Sequence, residues 1–119
     1  ETGRAWNAIH RALTDGQLDF GNGKPPLNQC VLGSRQLYPY DEYIVCLATP
    51  QQVKAAATAL DAIDADAFRE RYTRLVPADY APEYGDEDRE YTTKRFLGMR
   101  DLFLRAAQEG RGMVFTLDR

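Results

Sequence analysis

The chain has 119 residues, 44% of them hydrophobic and 28% charged, and a formal net charge of −3. That length suits one globular domain whose core needs no covalent staples. Basic residues scattered among acids argue against a nucleic-acid surface, which runs on clustered cations, and no apolar run is long enough for a membrane-spanning helix.

A first helix is predicted near residues 4–14, because Trp6, Ile9 and Leu13 share one face at helical spacing. Asp15-Gly16 ends it with turn chemistry. His10 is the only histidine and lies one turn after Trp6. It reads either as a stacked or hydrogen-bonded residue at the helix edge, or as an acid/base or ligand group. The first reading is preferred, because nothing nearby in the chain completes a catalytic set. Gly21-Asn22-Gly23-Lys24 lacks the Gly-Lys-Ser/Thr ending of a phosphate loop and is read as surface loop. A short strand is predicted near 28–33, followed by a polar, tyrosine-rich loop from Arg35 to Glu42. Tyr43 to Ala48 is aromatic, β-branched and apolar on both faces, as for a central strand at 43–48.

Thr49-Pro50-Gln51-Gln52 is a helix start: a capping hydroxyl, a proline for the first turn, and a glutamine placed to close a capping box. The helix near 50–63 then buries Val53, Ala56, Ala57, Leu60 and Ile63, its alanines permitting close approach. Asp64 or Asp66 caps another helix near 66–75, with Phe68, Tyr72 and Leu75 on one face. A long helix is predicted near 86–109. Asp86 to Glu90 place acid at its positive end, and Gly110 takes the left-handed position after it. Its apolar arc centres on Phe96, Met99, Phe103 and Ala107 and is wide enough to need more than one neighbour. We expect it to lie across a sheet with other helices beside it. Acids near Asp86 are assigned to helix capping. Arg100 projects into the apolar arc, where it must be paired, snorkel to water, or face an anion in a cleft. A last strand near 112–117 alternates Met113, Phe115 and Leu117 with Val114 and Thr116, and Val114 makes it internal to its sheet. The fold class is therefore α+β: a small, mainly antiparallel sheet packed against four helices.

Cys30 and Cys46 are the only cysteines. They are expected as free buried thiols, with a disulfide or a reactive thiol as the other readings, and are too few for a cysteine-only zinc site. No catalytic triad, metal-ligand spacing or cofactor motif is readable, so catalytic residues, metals and cofactors are all set at none. The least ordinary patch is Arg35, Tyr38, Tyr40, Asp41 and Tyr43, with Tyr80 and Tyr84 as further members. Arginine and tyrosine give rigid contact area with a polar tip, although tyrosines that only cover sheet edges would look the same.

The order of segments resembles one family. Arg4 to Thr14 is similar to the W-x-x-I/L-H-x-x-L-T helix of the bacterial YfbM-like family, a domain-of-unknown-function family. Pro26 to Gly33 resembles its P-L-x-x-A-V-L-G segment, Leu47 to Val53 its L-T-P-E-x-V junction, and Gly110 to Leu117 its closing glycine turn and strand. The resemblance covers nearly the whole chain and implies a single α+β domain, 1–119, from a bacterial, soluble, cytoplasmic protein. Family members usually carry a further N-terminal strand and helix. Without these and without an initiator methionine, the chain is expected to be a fragment or processed form, and a missing strand would leave an open sheet edge. The resemblance implies no reaction. It places Trp6 and His10 on the family's most recognisable helix.

The expected function is a non-catalytic binding module for a protein partner, an immunity- or antitoxin-type inhibitor being one form. Self-association through an open sheet edge is the other partner expectation; nucleic acid and membrane are not expected partners. The alternative is a small-molecule binder or enzyme whose cleft joins Trp6, His10, Arg35, Tyr38 and Arg100.

Overall fold

The computed structural model describes residues 5–17, 22–31, 35–36, 43–76 and 86–118. In chain order these form α1 (Trp6–Leu13), a 3-10 turn (Leu27–Gln29), β1 (Arg35–Gln36), β2 (Tyr43–Ala48), α2 (Pro50–Asp61), α3 (Ala65–Leu75), α4 (Asp86–Gln108) and β3 (Met113–Asp118). The α+β architecture is as the sequence predicts, and both strand pairings are antiparallel.

Helix ends are where local chemistry is most visible. Thr49 Oγ1 accepts from the Gln52 amide at 3.2 Å, and Gln52 Oε1 accepts from the Thr49 amide at 2.9 Å, closing the expected capping box. Of the two candidate caps for α3, Asp64 is the one used; its Oδ1 accepts from the Ala67 amide at 2.8 Å. At the end of α4, Gly110 has φ +69°, Arg111 N–H bonds Ala106 O at 2.9 Å, and Gly110 N–H bonds Ala107 O at 3.2 Å. That pair of bonds satisfies two carbonyls the helix would otherwise leave open.

Three expectations are corrected. Residues 28–33 do not begin as a strand: Leu27–Gln29 is a 3-10 turn, with Gln29 N–H bonded to Pro26 O and Cys30 N–H to Leu27 O. Pro25 and Pro26 hold φ in the range a tight turn uses, and a short apolar run carries no periodicity to oppose them. The first strand is instead Arg35–Gln36, opposite Leu47 and Cys46. Second, β2 is central as expected, but among the described residues β3 is not internal: the sheet order is β1-β2-β3, and Val114 is 60% exposed. Third, α4 packs mainly on helices, most extensively α2, then α3 and α1, while α2 is the helix that meets β2. The wide apolar arc specified several neighbours without specifying their kind.

The core joins Ile9 and Leu13 of α1, Val53, Ala56, Ala57 and Leu60 of α2, Phe68 of α3, and Phe96, Met99 and Phe103 of α4. Phe68 and Phe96 stack with ring centroids 4.2 Å apart and planes 14° from parallel. Burying each ring contributes roughly 2–3 kcal/mol, and the stacked geometry adds about 1 kcal/mol. On the outside of the same seam Arg69 binds Asp66 at 2.9 Å and Glu90 at 3.0 Å. The Arg69 hydrogen bond holds the Glu90 carboxyl below its usual range.

Candidate functional site

The densest polar cluster of the described residues sits where α1 ends. His10 is buried, and its Nε2 donates to Asn22 Oδ1 at 2.8 Å. Asn22 Nδ2 donates to Asp15 Oδ1 at 2.6 Å, to Thr14 Oγ1 at 3.0 Å and to Gln17 O at 3.0 Å. Thr14 Oγ1 in turn donates to His10 O at 2.6 Å. These partners fix the amide's orientation, since a carboxylate and a backbone carbonyl only accept. Asn22 Oδ1 therefore faces the ring, and Nε2 carries the proton of that bond. Nδ1 is buried and, among the described residues, has no hydrogen-bond partner. An imidazole held through one ring nitrogen, with the other left open, is the arrangement a ligand or base histidine uses.

The same cluster tunes its acid. The Asn22 hydrogen bond holds the Asp15 carboxyl below the usual carboxylate range, helped by the Gln17 backbone bond and opposed by desolvation. Geometry around the loop is tight. Gly23 has φ +78°, and a Cβ there would stand 2.7 Å from Thr14 Cβ; Gly16 has φ +90°, and a Cβ there would stand 2.7 Å from Leu75 O. Only glycine fits either position.

A second buried polar group lies at the start of α4. Asp88 is buried; Tyr72 Oη donates to its Oδ2 at 2.5 Å and Thr92 Oγ1 at 3.4 Å. The assignment of the acids near Asp86 to capping is thus incomplete. Asp86 and Glu87 are exposed at the helix start, whereas Asp88 ties α4 to α3. The signal was present: Asp88, Thr92, Phe96, Met99 and Phe103 follow one helical stripe, which puts the carboxylate on the core face.

Arg100 is partly buried and donates from Nη1 to Ile63 O at 2.8 Å, serving an open carbonyl just past α2. Among the described residues its Nε has no partner, and it is neither in an ion pair nor bonded to His10. Trp6 is half-buried against the core, one turn from His10. Arg35 lies on β1, opposite Leu47. Tyr38, Tyr40, Asp41, Tyr80 and Tyr84 lie outside the described residues. Of the proposed cleft, the described residues bring together Trp6 and His10, and Arg100 works in a separate network.

Cys30 and Cys46 are both buried. Burial pushes the Cys30 thiol up to about 12, so it is not a thiolate nucleophile in the folded chain. Among the described residues, no cluster of three or more histidine, cysteine or acidic side chains could hold a metal ion, and no helix is long and apolar enough to cross a membrane.

The sequence profile of a domain of unknown function, DUF1877, matches residues 1–116. The chain belongs to the DUF1877 family. A solved structure has a similar fold: the chain is similar to the protein of unknown function YfbM from Escherichia coli. The TM-score is 0.64 at 20% identity, covering 96% of this chain and 76% of that one. At that identity the likeness shows a common fold. No curated protein matches the chain. The family assignment bears out the resemblance carried by the Trp6–His10 helix, the Thr49-Pro50 junction and the Gly110 turn.

Proposed function

We propose that this DUF1877 domain is a non-catalytic binding module that engages a protein partner through the β3 side of its sheet, an immunity- or antitoxin-type inhibitor being one form. The observation that supports this reading is the state of β3. Among the described residues it pairs with β2 alone, and it presents Val114 at 60% exposure with Thr116 exposed beside it. β3 carries no proline, and its one charge, Asp118, is at its end, so Met113 to Leu117 lacks the usual guards of a free strand edge. Such an edge accepts an added strand from a partner or from a second copy of the chain. Site-specific photocrosslinking tests it. A photoreactive side chain at Val114 is expected to give one discrete adduct in bacterial cells, and the same group at the exposed Gly98 none. An adduct of twice the chain's mass assigns the edge to self-association; no adduct at Val114, or equal labelling at Gly98, rejects the reading.

A second reading, a small-molecule site beside Trp6 and His10, is favoured by one observation: the bare, buried Nδ1 of His10. An NMR fragment screen in which hits shift both the Trp6 indole and the His10 ring supports it. Hits that move neither resonance reject it.

A further inference from the structure

Two structural demands meet in the dipeptide Asn22-Gly23. The first position must present one acceptor to His10 and a donor to Thr14, Asp15 and Gln17, which an amide does and a carboxylate does not. The second must adopt φ +78° against Thr14 with no Cβ, which only glycine does. The result is Asn-Gly, chemically the least durable of asparagine sequences, because a following glycine leaves its amide nitrogen unhindered. We propose that Asn22 is a modification site: native contacts shield its amide, it deamidates when the segment releases α1, and the acidic product cannot re-form the native contacts.

The reaction is balanced without an oxidant or reductant. The Gly23 amide nitrogen attacks Asn22 Cγ, the new N–Cγ bond forms, the Cγ–Nδ2 bond breaks, and ammonia leaves with the Gly23 proton. Water then opens the five-membered imide at either carbonyl, giving aspartate or its isoaspartyl isomer. Attack requires the side chain to swing over its own backbone. In the folded chain both ends of the amide are held, Oδ1 by His10 and Nδ2 by three oxygens, so that swing is blocked until these bonds break. The rate in the folded chain is then the unfolded rate scaled by the population of the local opening.

The product is excluded by charge. An aspartate at position 22 keeps one oxygen on His10 but turns the other toward Asp15 Oδ1, 2.6 Å from where the amide nitrogen stood, and toward Gln17 O. Two carboxylates at that separation repel rather than bond. The isoaspartyl form also lengthens the backbone and moves Gly23 off Thr14. Each deamidation thereby leaves a permanent mark of one added negative charge.

Peptide mapping of the intact chain, incubated in mildly alkaline buffer, tests the shield. Asn22 is expected to deamidate at least about tenfold more slowly in the folded chain than in the same chain unfolded in urea, and Thr14→Val to deamidate faster than wild type while still folded. The exclusion is tested by Asn22→Asp, expected to lower Tm by about 5 °C or more, and by adding Asp15→Asn, which restores a donor opposite the new carboxylate and is expected to recover at least half of that loss. Equal rates in folded and unfolded chain overturn the shield. An Asn22→Asp variant as stable as wild type, or no recovery in the double variant, overturns the exclusion.

Discussion

Two regions of this domain hold neighbouring elements together by opposite means. The α3–α4 seam uses stacked Phe68 and Phe96 with the buried Asp88–Tyr72 bond behind them. The end of α1 is instead tied to the following segment by one asparagine side chain bonded to four other residues. Apolar packing is non-directional and spread over many weak contacts, so it tolerates small shifts and offers no reactive bond. A polar knot is directional and specifies one arrangement, but every member depends on the others. The seam therefore sets how stable the domain is as a whole, and the knot sets how one surface segment is placed.

Breaking the seam should have the larger effect. Phe96→Ala removes a fully buried ring and its stacking on Phe68 and is expected to destabilise by about 3–5 kcal/mol in urea unfolding, with amide exchange accelerated throughout the chain. Asn22→Ala leaves the buried His10 Nε2–H without its partner and is expected to cost about 1–3 kcal/mol. Its hydrogen-exchange signature sharpens the contrast: faster exchange confined to residues near the end of α1, with α3 and α4 unchanged. An Asn22→Ala chain that loosens as broadly as Phe96→Ala would erase the distinction between the two regions. Thr49→Ala, which removes half of a capping box, is expected to cost about 1 kcal/mol by the same measurement.

The smallest effect is acidic. The folded Asp15 carboxyl titrates below its unfolded value, chiefly because of Asn22. The unfolded chain thus binds the proton first, and the contribution of this bond is present above the ordinary aspartate range, near pH 4. It is lost as pH falls through the folded value. An NMR titration of wild type should place Asp15 below the ordinary range, and Asn22→Ala should return it there.

Much of this architecture was legible locally. Thr49, Pro50 and Gln52 announce a helix start through their own side chains, Tyr43–Ala48 announces a central strand by being apolar on both faces, and Gly110 announces a helix end. What was not legible depends on partners distant in the chain. His10 and Asn22 are separated by a turn and a loop, and nothing in either neighbourhood marks the other. Val114 is apolar whether or not a strand covers it, so composition alone placed β3 inside a sheet of which, among the described residues, it is the last strand. The apolar stripe of α4 reads the same whether helices or strands receive it. Asp88 was recoverable from helical spacing, and was passed over because three adjacent acids at a helix start already have a local explanation.

The bare outward face of α4 carries one last consequence. Gly98 sits in the middle of a 23-residue helix, where a Cβ would meet nothing within 4 Å. Alanine there forfeits no contact and stiffens the unfolded chain, an exchange worth about 0.4–1 kcal/mol in favour of folding. The longest rod in the domain is thus weaker than its surroundings require, and a fluorophore or tether mounted at that position would report on the rod while disturbing none of its packing.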